Sequence, residues 1–141
     1  MPDRNHAVSV VMIEDDEGHA RLIEKNIRRA GVANDIVTFA NGSQALDYLF
    51  SPRPPRPYLI LLDLNLPDMT GIDILCAIRS NGATRLAPVI VLTTTDDKRE
   101  VEKCYGLGAN VYIVKPLNYD SFSNAIRQLG LFLSVIQVPC D

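Results

Sequence analysis

The sequence predicts an α/β fold, with a doubly wound five-stranded parallel sheet that carries helices on both faces. Three observations support this class. Strand-like and helix-like segments alternate five times, the strand-like segments are nearly continuous apolar runs, and the connections between segments are short. Apolar runs of this kind are typical of parallel strands that are buried on both faces. Right-handed crossovers between the strands then restrict the topology.

The predicted strands are short runs rich in aliphatic and β-branched residues. They cover residues 8–13, 36–39, 58–63, 88–93 and 110–114. Apolar residues at helical spacing predict the intervening helices. These cover residues 17–30, 43–50, 70–80, 96–107 and 118 or 120 to 134. Gly31 and Gly108 follow two of the helices, as residues that end a helix commonly do.

Length and charge limit the classes of function. The 141 residues fit one domain over residues 1–141, with a core at about 8–134 and an apolar tail at 135–141. The net charge of −3 gives no electrostatic footprint for nucleic acid. No apolar run is long enough to span a membrane, and the polar start does not resemble a signal peptide, so we expect a cytoplasmic protein. The three cysteines lack metal-ligand spacing.

Polar side chains cluster where the predicted strands end. They are Glu14, Asp15 and Asp16 after the first strand, Asp63 at the end of the third, Thr93 at the end of the fourth, and Lys115 after the fifth. Ligands of open α/β sheets bind beyond the carboxyl ends of the strands. Each residue alone has an ordinary explanation, such as a turn, a helix cap or a surface charge. Their joint placement predicts a functional site at this edge.

The residue types at this edge suit phosphoryl transfer. Carboxylates that repel one another are held ionised by a divalent cation, and Mg²⁺ prefers oxygen ligands. An aspartate such as Asp63 can form an acyl phosphate. Lys115 and the Thr93 hydroxyl can match the charge and the acceptor oxygens of a bound phosphoryl group. The sequence therefore predicts an aspartyl phosphoacceptor with a magnesium site.

Four motifs resemble the receiver domain of two-component response regulators, in order and at the family's intervals. They are Val11-Met12-Ile13-Glu14-Asp15-Asp16, Leu61-Leu62-Asp63-Leu64-Asn65-Leu66-Pro67-Asp68-Met69-Thr70-Gly71, Val91-Leu92-Thr93-Thr94 and Val114-Lys115-Pro116. Each motif is weak alone, but together they are highly specific. The resemblance covers residues 9–134 and implies a flavodoxin-like sheet with strand order 2-1-3-4-5.

The resemblance also implies roles for individual residues. Asp63 would accept the phosphoryl group. Mg²⁺ would be held directly by Asp15, Asp63 and the backbone carbonyl of Asn65, and by Glu14 mostly through a metal-bound water. Thr93, Thr94 and Lys115 would bind the phosphoryl oxygens. Thr93 and Tyr112 would form the switch, with Tyr112 swinging inward as Thr93 moves. Pro67, Gly71 and Pro116 would shape the loops, and the peptide bond before Pro116 is often cis in the family.

A finer resemblance is to the single-domain regulators that partner phytochrome histidine kinases. It rests on residues 18–23, the proline-rich loop at 51–57, residues 92–97 and the apolar tail. A sensor histidine kinase is the expected partner. The apolar segment 129–139 either folds back on the core or forms a homodimer contact through the last helix or tail.

Two other functions remain open from the residues. A Mg²⁺-dependent phosphohydrolase with an aspartyl nucleophile would use a similar sheet, but such enzymes carry a second Asp at the position of Asn65. A structural docking module would never carry phosphate. The preferred function is a phosphorylation-controlled switch that signals through protein contacts or onward phosphotransfer, and not an enzyme.

Overall fold

A computed structural model describes residues 9–29, 31–51, 58–116 and 118–133. Among these residues the chain forms five parallel strands in the order β2-β1-β3-β4-β5, as the sequence and the resemblance predict. The strands are β1 (Ser9–Ile13), β2 (Ile36–Phe39), β3 (Tyr58–Leu62), β4 (Val89–Thr93) and β5 (Val111–Val114). The central strands β1, β3 and β4 are buried along their whole length.

Five helices cover the two faces of this sheet. They are α1 (Glu17–Arg29), α2 (Gly42–Phe50), α3 (Gly71–Ser80), α4 (Lys98–Gly106) and α5 (Tyr119–Leu133). Residues of α1 and α5 share one apolar cluster with one face of the sheet. Residues of α2, α3 and α4 share a second cluster with the opposite face. The doubly wound architecture therefore has two cores, because every central strand buries both of its faces.

Local chemistry explains where the elements end. The predicted bounds differ from the observed ones by one or two residues, most clearly at the start of α4. The Asp97 side chain accepts a hydrogen bond from the backbone N–H of Arg99 at 2.9 Å, so the helix begins after this cap. Gly31 and Gly108 adopt positive φ angles of 92° and 102°, the conformation that ends helices with little strain for glycine.

Some sequence-based expectations fall on residues that the structure does not describe. The apolar tail 135–141 and residues 52–57 of the proline-rich loop lie outside the described residues. The side chains of 129–133 at the end of α5 are likewise not described. Within the described part of the chain, no helix combines the length and the apolarity needed to cross a lipid bilayer.

Candidate functional site

Lys115 lies at the centre of the buried part of the site. Its Nζ donates hydrogen bonds to Oε1 of Glu14 at 2.6 Å and to Oδ2 of Asp63 at 3.0 Å. All three side chains are buried: Lys115 and Glu14 are each 3% exposed, and Asp63 is 8% exposed. Buried charges weaken a fold unless they are paired and hydrogen-bonded, and here one ammonium faces two carboxylates. The loops after β1, β3 and β5 thus bring these three side chains together.

Backbone hydrogen bonds between neighbouring strands hold these side chains in register. The N–H of Asp63 donates to the carbonyl of Ile13 at 3.0 Å, which sets Asp63 beside the end of β1. The N–H of Lys115 donates to the carbonyl of Thr93 at 2.7 Å, which sets Lys115 beside the end of β4. The sheet itself therefore fixes where the charged groups meet.

Three carboxylates at this edge form a group that fits a metal ion. One oxygen from each of Glu14, Asp15 and Asp63 lies within 4.8 Å of the others. Asp15 is exposed, whereas Glu14 and Asp63 are buried, so the group opens to solvent on one side. Oxygen ligands and room for water are what Mg²⁺ requires. Asp16 instead caps α1, since its Oδ1 accepts a hydrogen bond from the N–H of His19 at 3.0 Å.

The protonation of Glu14 reflects its burial. Loss of water around the carboxyl raises the pKa of Glu14 from 4.5 to about 7, and the negative charge of Asp63 adds to this rise. The hydrogen bond and the charge of Lys115 oppose it but do not cancel it. A metal ligand must be deprotonated, so a cation that bound here would displace this proton into solvent. The raised pKa would make metal binding at this carboxyl dependent on pH.

Hydroxyl and amide groups line the other side of Asp63. The N–H of Asn65 donates to Oδ1 of Asp63 at 3.0 Å. The side-chain Nδ2 of Asn65 lies 3.4 Å from Oγ1 of Thr93 and 3.3 Å from Oγ1 of Thr95. Thr93 is fully buried, whereas the side chain of Thr94 is exposed. Asn65 thus connects the acidic group to the end of β4.

Tyr112 is joined to the same segment from β5. Its hydroxyl donates to the backbone carbonyl of Thr95 at 2.6 Å, and its ring is half-buried. Burial raises the pKa of Tyr112 to about 12, and the charge of nearby acids adds to this. The N–H of Tyr112 donates to the hydroxyl of Tyr105 in α4 at 3.0 Å. The predicted switch aromatic therefore links the end of β4 to α4.

The loop after β3 is closed by a backbone hydrogen bond at Gly71, where there is no room for a side chain. The N–H of Gly71 donates to the carbonyl of Leu64 at 3.0 Å, and a Cβ at Gly71 would lie 2.5 Å from Cα of Leu64. A side chain at position 71 would therefore displace the backbone next to Asp63. Pro67 lies exposed in the same loop.

The peptide bond before Pro116 is trans, because the described part of the chain contains no cis peptide. The expectation drawn from the family, that this bond is often cis, does not apply here. The trans form of an X–Pro bond is favoured by about 0.5–1 kcal/mol when its surroundings impose nothing else. Pro116 instead contributes to a pocket of about 480 Å³ between α1 and α5.

Two residues of the site were not found from the sequence. Nδ1 of His19 lies 3.0 Å from Nζ of Lys115. Its signal in the sequence was its place among residues 18–23, shortly after the acid cluster, but no role followed from it. Asp68 accepts hydrogen bonds from the N–H groups of Gly42 and Ser43, both at 2.8 Å, and from the Ser43 hydroxyl at 2.7 Å. Contacts between two separate loops leave no periodic pattern in a sequence.

The family is established by sequence comparison. Residues 10–127 match the response regulator receiver domain, so this chain belongs to that family. Receiver domains are phosphoacceptor switches of two-component signalling, and this is the role of the chain. The phosphohydrolase alternative is not favoured.

Individual relatives agree with this assignment. A receiver domain from Rhodospirillum rubrum is 64% identical, with a TM-score of 0.90, and covers 93% of this chain and 96% of its own. The response regulator Rcp1 of Synechocystis is 29% identical over 99% of both chains. Its Mn²⁺-bound structure gives a TM-score of 0.84 over 94% of this chain and 99% of its own. The phosphorylated cyanobacterial phytochrome response regulator RcpA is 31% identical, with a TM-score of 0.83 over 95% and 99%.

Proposed function

We propose that Asp63 accepts a phosphoryl group from a phosphohistidine of a sensor histidine kinase. The observation that carries this proposal is the buried contact of 3.0 Å between Lys115 Nζ and Asp63 Oδ2 at the edge of the sheet. One carboxylate oxygen of Asp63 forms a bond to phosphorus, and the bond from phosphorus to the donor nitrogen breaks. The electron pair stays on that nitrogen. Lys115 is placed to bind the oxygens of the transferred group.

The metal of this site is proposed to be Mg²⁺. The carboxylates of Glu14, Asp15 and Asp63 would hold it, together with the backbone carbonyl of Asn65. Support comes from the close approach of three carboxylate oxygens and from the Mn²⁺-bound structure of Rcp1. When bound, the cation would neutralise the charge on the acidic group and on the phosphoryl oxygens.

Thr93 and Tyr112 are proposed to carry the signal outward. Thr93, with Thr94 and Lys115, would contact the phosphoryl oxygens, and the Tyr112 hydroxyl would leave the carbonyl of Thr95 as the segment moves. The observed hydrogen bond between Tyr112 and Thr95 supports this coupling, because a shift of 93–95 must change it. The surface formed by α4, β5 and α5 would then differ between two states, while Pro67, Gly71 and Pro116 keep the loops in shape.

A phytochrome histidine kinase in the cytoplasm is the proposed donor. The similarity to Rcp1 and to the phytochrome response regulator RcpA supports this kinase class. In the test, a phytochrome kinase and an unrelated sensor kinase, each carrying labelled phosphohistidine, are mixed with the protein. We expect faster transfer from the phytochrome kinase. Equal transfer rates from the two donors would remove this part of the proposal.

We propose that residues 1–141 form a single receiver domain. We also propose that this domain forms a homodimer through the last helix or the tail. The apolar composition of 129–139 supports a contact surface at the end of α5. Sedimentation equilibrium over a range of protein concentrations tests this. A monomer mass that stays constant at every concentration would contradict a dimer.

The phosphoacceptor assignment is tested by intact mass. The protein is incubated with acetyl phosphate and Mg²⁺, beside Asp63→Asn and the control Asp73→Asn, which changes an exposed acid of α3. We expect the wild type and the control to gain one phosphoryl group and Asp63→Asn to gain none. A phosphohydrolase would instead release phosphate continuously, and a docking module would gain no mass in any variant.

A further inference from the structure

We propose that His19 is a positioning residue for Lys115, and that it acts as a neutral hydrogen-bond acceptor that aims the ammonium at the phosphoryl site. This inference rests on the function proposed for Asp63. It concerns a residue for which neither the motifs nor the family roles supply a function.

The hydrogen-bonding capacity of Lys115 supports this role. A lysine ammonium has three N–H donors and no acceptor. Nζ of Lys115 has three neighbours at hydrogen-bond distance, namely Oε1 of Glu14 at 2.6 Å, Oδ2 of Asp63 at 3.0 Å and Nδ1 of His19 at 3.0 Å. Each donor therefore has one acceptor, and the ammonium is fully satisfied in a buried position.

The same geometry fixes the form of the imidazole. Because the ammonium can only donate, Nδ1 of His19 must carry a lone pair, and the ring proton must lie on Nε2. A doubly protonated ring would place two positive N–H groups against each other at 3.0 Å. His19 is therefore the uncharged member of the three groups around Lys115.

Contacts from two helices hold the ring in this place. The backbone N–H of His19 is bonded to Asp16 at the start of α1. The ring meets Phe122 of α5 edge-on, with centroids 5.3 Å apart and an interplanar angle of 78°. Aromatic rings favour this arrangement. The ring therefore packs between α1 and α5, and its Nδ1 lies closer to Nζ of Lys115, at 3.0 Å, than to Oδ2 of Asp16, at 3.8 Å.

The absence of charge on His19 matters for phosphoryl acceptance. A carboxylate attracts an ammonium through its full negative charge as well as through the hydrogen bond, whereas a neutral imidazole offers the hydrogen bond without a net charge. A third carboxylate at this place would hold the ammonium against an incoming phosphoryl group. The neutral imidazole orients Lys115 but competes weakly with phosphoryl oxygens. His19 thus orients the ammonium of Lys115 toward the phosphoryl site but still lets it bind the phosphoryl oxygens.

Nuclear magnetic resonance of the metal-free protein tests the contact itself. At a pH above the usual imidazole pKa, we expect ¹⁵N spectra to show Nδ1 of His19 unprotonated. We also expect a slowly exchanging Nζ signal from Lys115 that exchanges faster in His19→Leu. A ring proton on Nδ1, or Lys115 exchange unchanged by His19→Leu, would overturn the proposal whether or not Asp63 is ever phosphorylated.

Phosphorylation kinetics test the consequence. With acetyl phosphate and saturating Mg²⁺, we expect His19→Leu to be phosphorylated about tenfold more slowly, the order expected from losing a hydrogen bond to a charged group. His19→Asn, whose amide oxygen can occupy the place of Nδ1, should recover most of the rate. Lys25→Ala, which alters the same pocket between α1 and α5, is the control and should match the wild type.

The outcomes separate this inference from the proposed function. Equal phosphorylation rates for the wild type and His19→Leu would overturn the positioning role. Equally slow phosphorylation of His19→Leu and His19→Asn would also overturn it, because it would show that His19 acts through packing alone. If the wild type itself gained no phosphoryl group, the function of Asp63 would fail. The resonance measurement would then still decide whether His19 accepts a hydrogen bond from Lys115.

Discussion

The ammonium of Lys115 lies 2.6 Å from the carboxylate of Glu14, a residue 101 positions earlier in the chain. This contact closes the site between β1 and β5, which are separated in the sheet by β3 and β4. It places a buried cation where a bound metal would bring further positive charge. Metal and lysine would therefore neutralise the same carboxylates, so the stabilisation that each provides should depend on whether the other is present.

Removal of the Lys115 charge should destabilise the metal-free protein more than the Mg²⁺-bound protein. Lys115→Met leaves Glu14 and Asp63 buried without their partner, a change that costs about 3–5 kcal/mol in comparable buried pairs. Saturating Mg²⁺ should reduce this loss, because the cation supplies the missing charge. Chemical denaturation with and without Mg²⁺ measures both values. The double variant Glu14→Gln/Lys115→Met is the control and should lose less, and an identical loss in both conditions would contradict the shared role.

Magnesium affinity should depend on pH through Glu14. Burial raises the pKa of Glu14 to about 7, and a metal ligand must be deprotonated to bind. Affinity should therefore fall as the pH drops below 7, approaching about tenfold per pH unit. Calorimetric titration at several pH values measures this dependence, which Glu14→Gln should flatten.

The same shift has an opposite effect on the metal-free fold. The folded protein binds the Glu14 proton more tightly than the unfolded chain does, since its pKa is raised from 4.5. The contribution of Glu14 to stability is then complete below pH 4.5 and is lost as the pH rises through about 7. Denaturation of the metal-free wild type and of Glu14→Gln at several pH values measures this contribution. An increase in the contribution of Glu14 from pH 4.5 to pH 7 would contradict a raised pKa.

Gly71→Ala should disturb the loop that carries the acceptor. Its Cβ would lie 2.5 Å from Cα of Leu64 and 2.9 Å from the carbonyl oxygen of Asp63, so the backbone must move. We expect a loss of about 1–3 kcal/mol, as for other overpacked sites. Phosphorylation of Asp63 should also slow. The matched control is Gly82→Ala, where no atom lies within 4 Å of the added Cβ, and equal effects of the two substitutions would contradict this explanation.

Asp68→Asn should weaken the connection between the loop after β3 and the start of α2. Hydrogen bonds from the backbone N–H of Gly42 and from Ser43 lower the pKa of Asp68 from 3.8 to about 2. The stability that the charged form gives is therefore present above pH 3.8 and lost as the pH falls through about 2. Acid unfolding should show the gap between wild type and variant closing over this range. Asp47→Asn, an exposed change on α2, is the control and should show no such closing gap.

The sequence alone determined the architecture and the composition of the site. Apolar strands alternating with amphipathic helices predicted every element to within one or two residues, and the resemblance to receiver domains implied the strand order. The parallel sheet also implied that Glu14, Asp63 and Lys115 meet at one edge, because the carboxyl ends of parallel strands lie together.

The tertiary structure alone decided how those groups are connected. Three contacts depend on distances between loops and on side-chain directions. Lys115 bridges Glu14 and Asp63, His19 completes the hydrogen bonds of Lys115, and Asp68 binds the first N–H groups of α2. Periodicity places a residue on an element and a face, but it does not give contacts between segments far apart in the chain. Burial, which sets the pKa of Glu14, is likewise a property of the packed molecule and arises only once the strands and helices have come together.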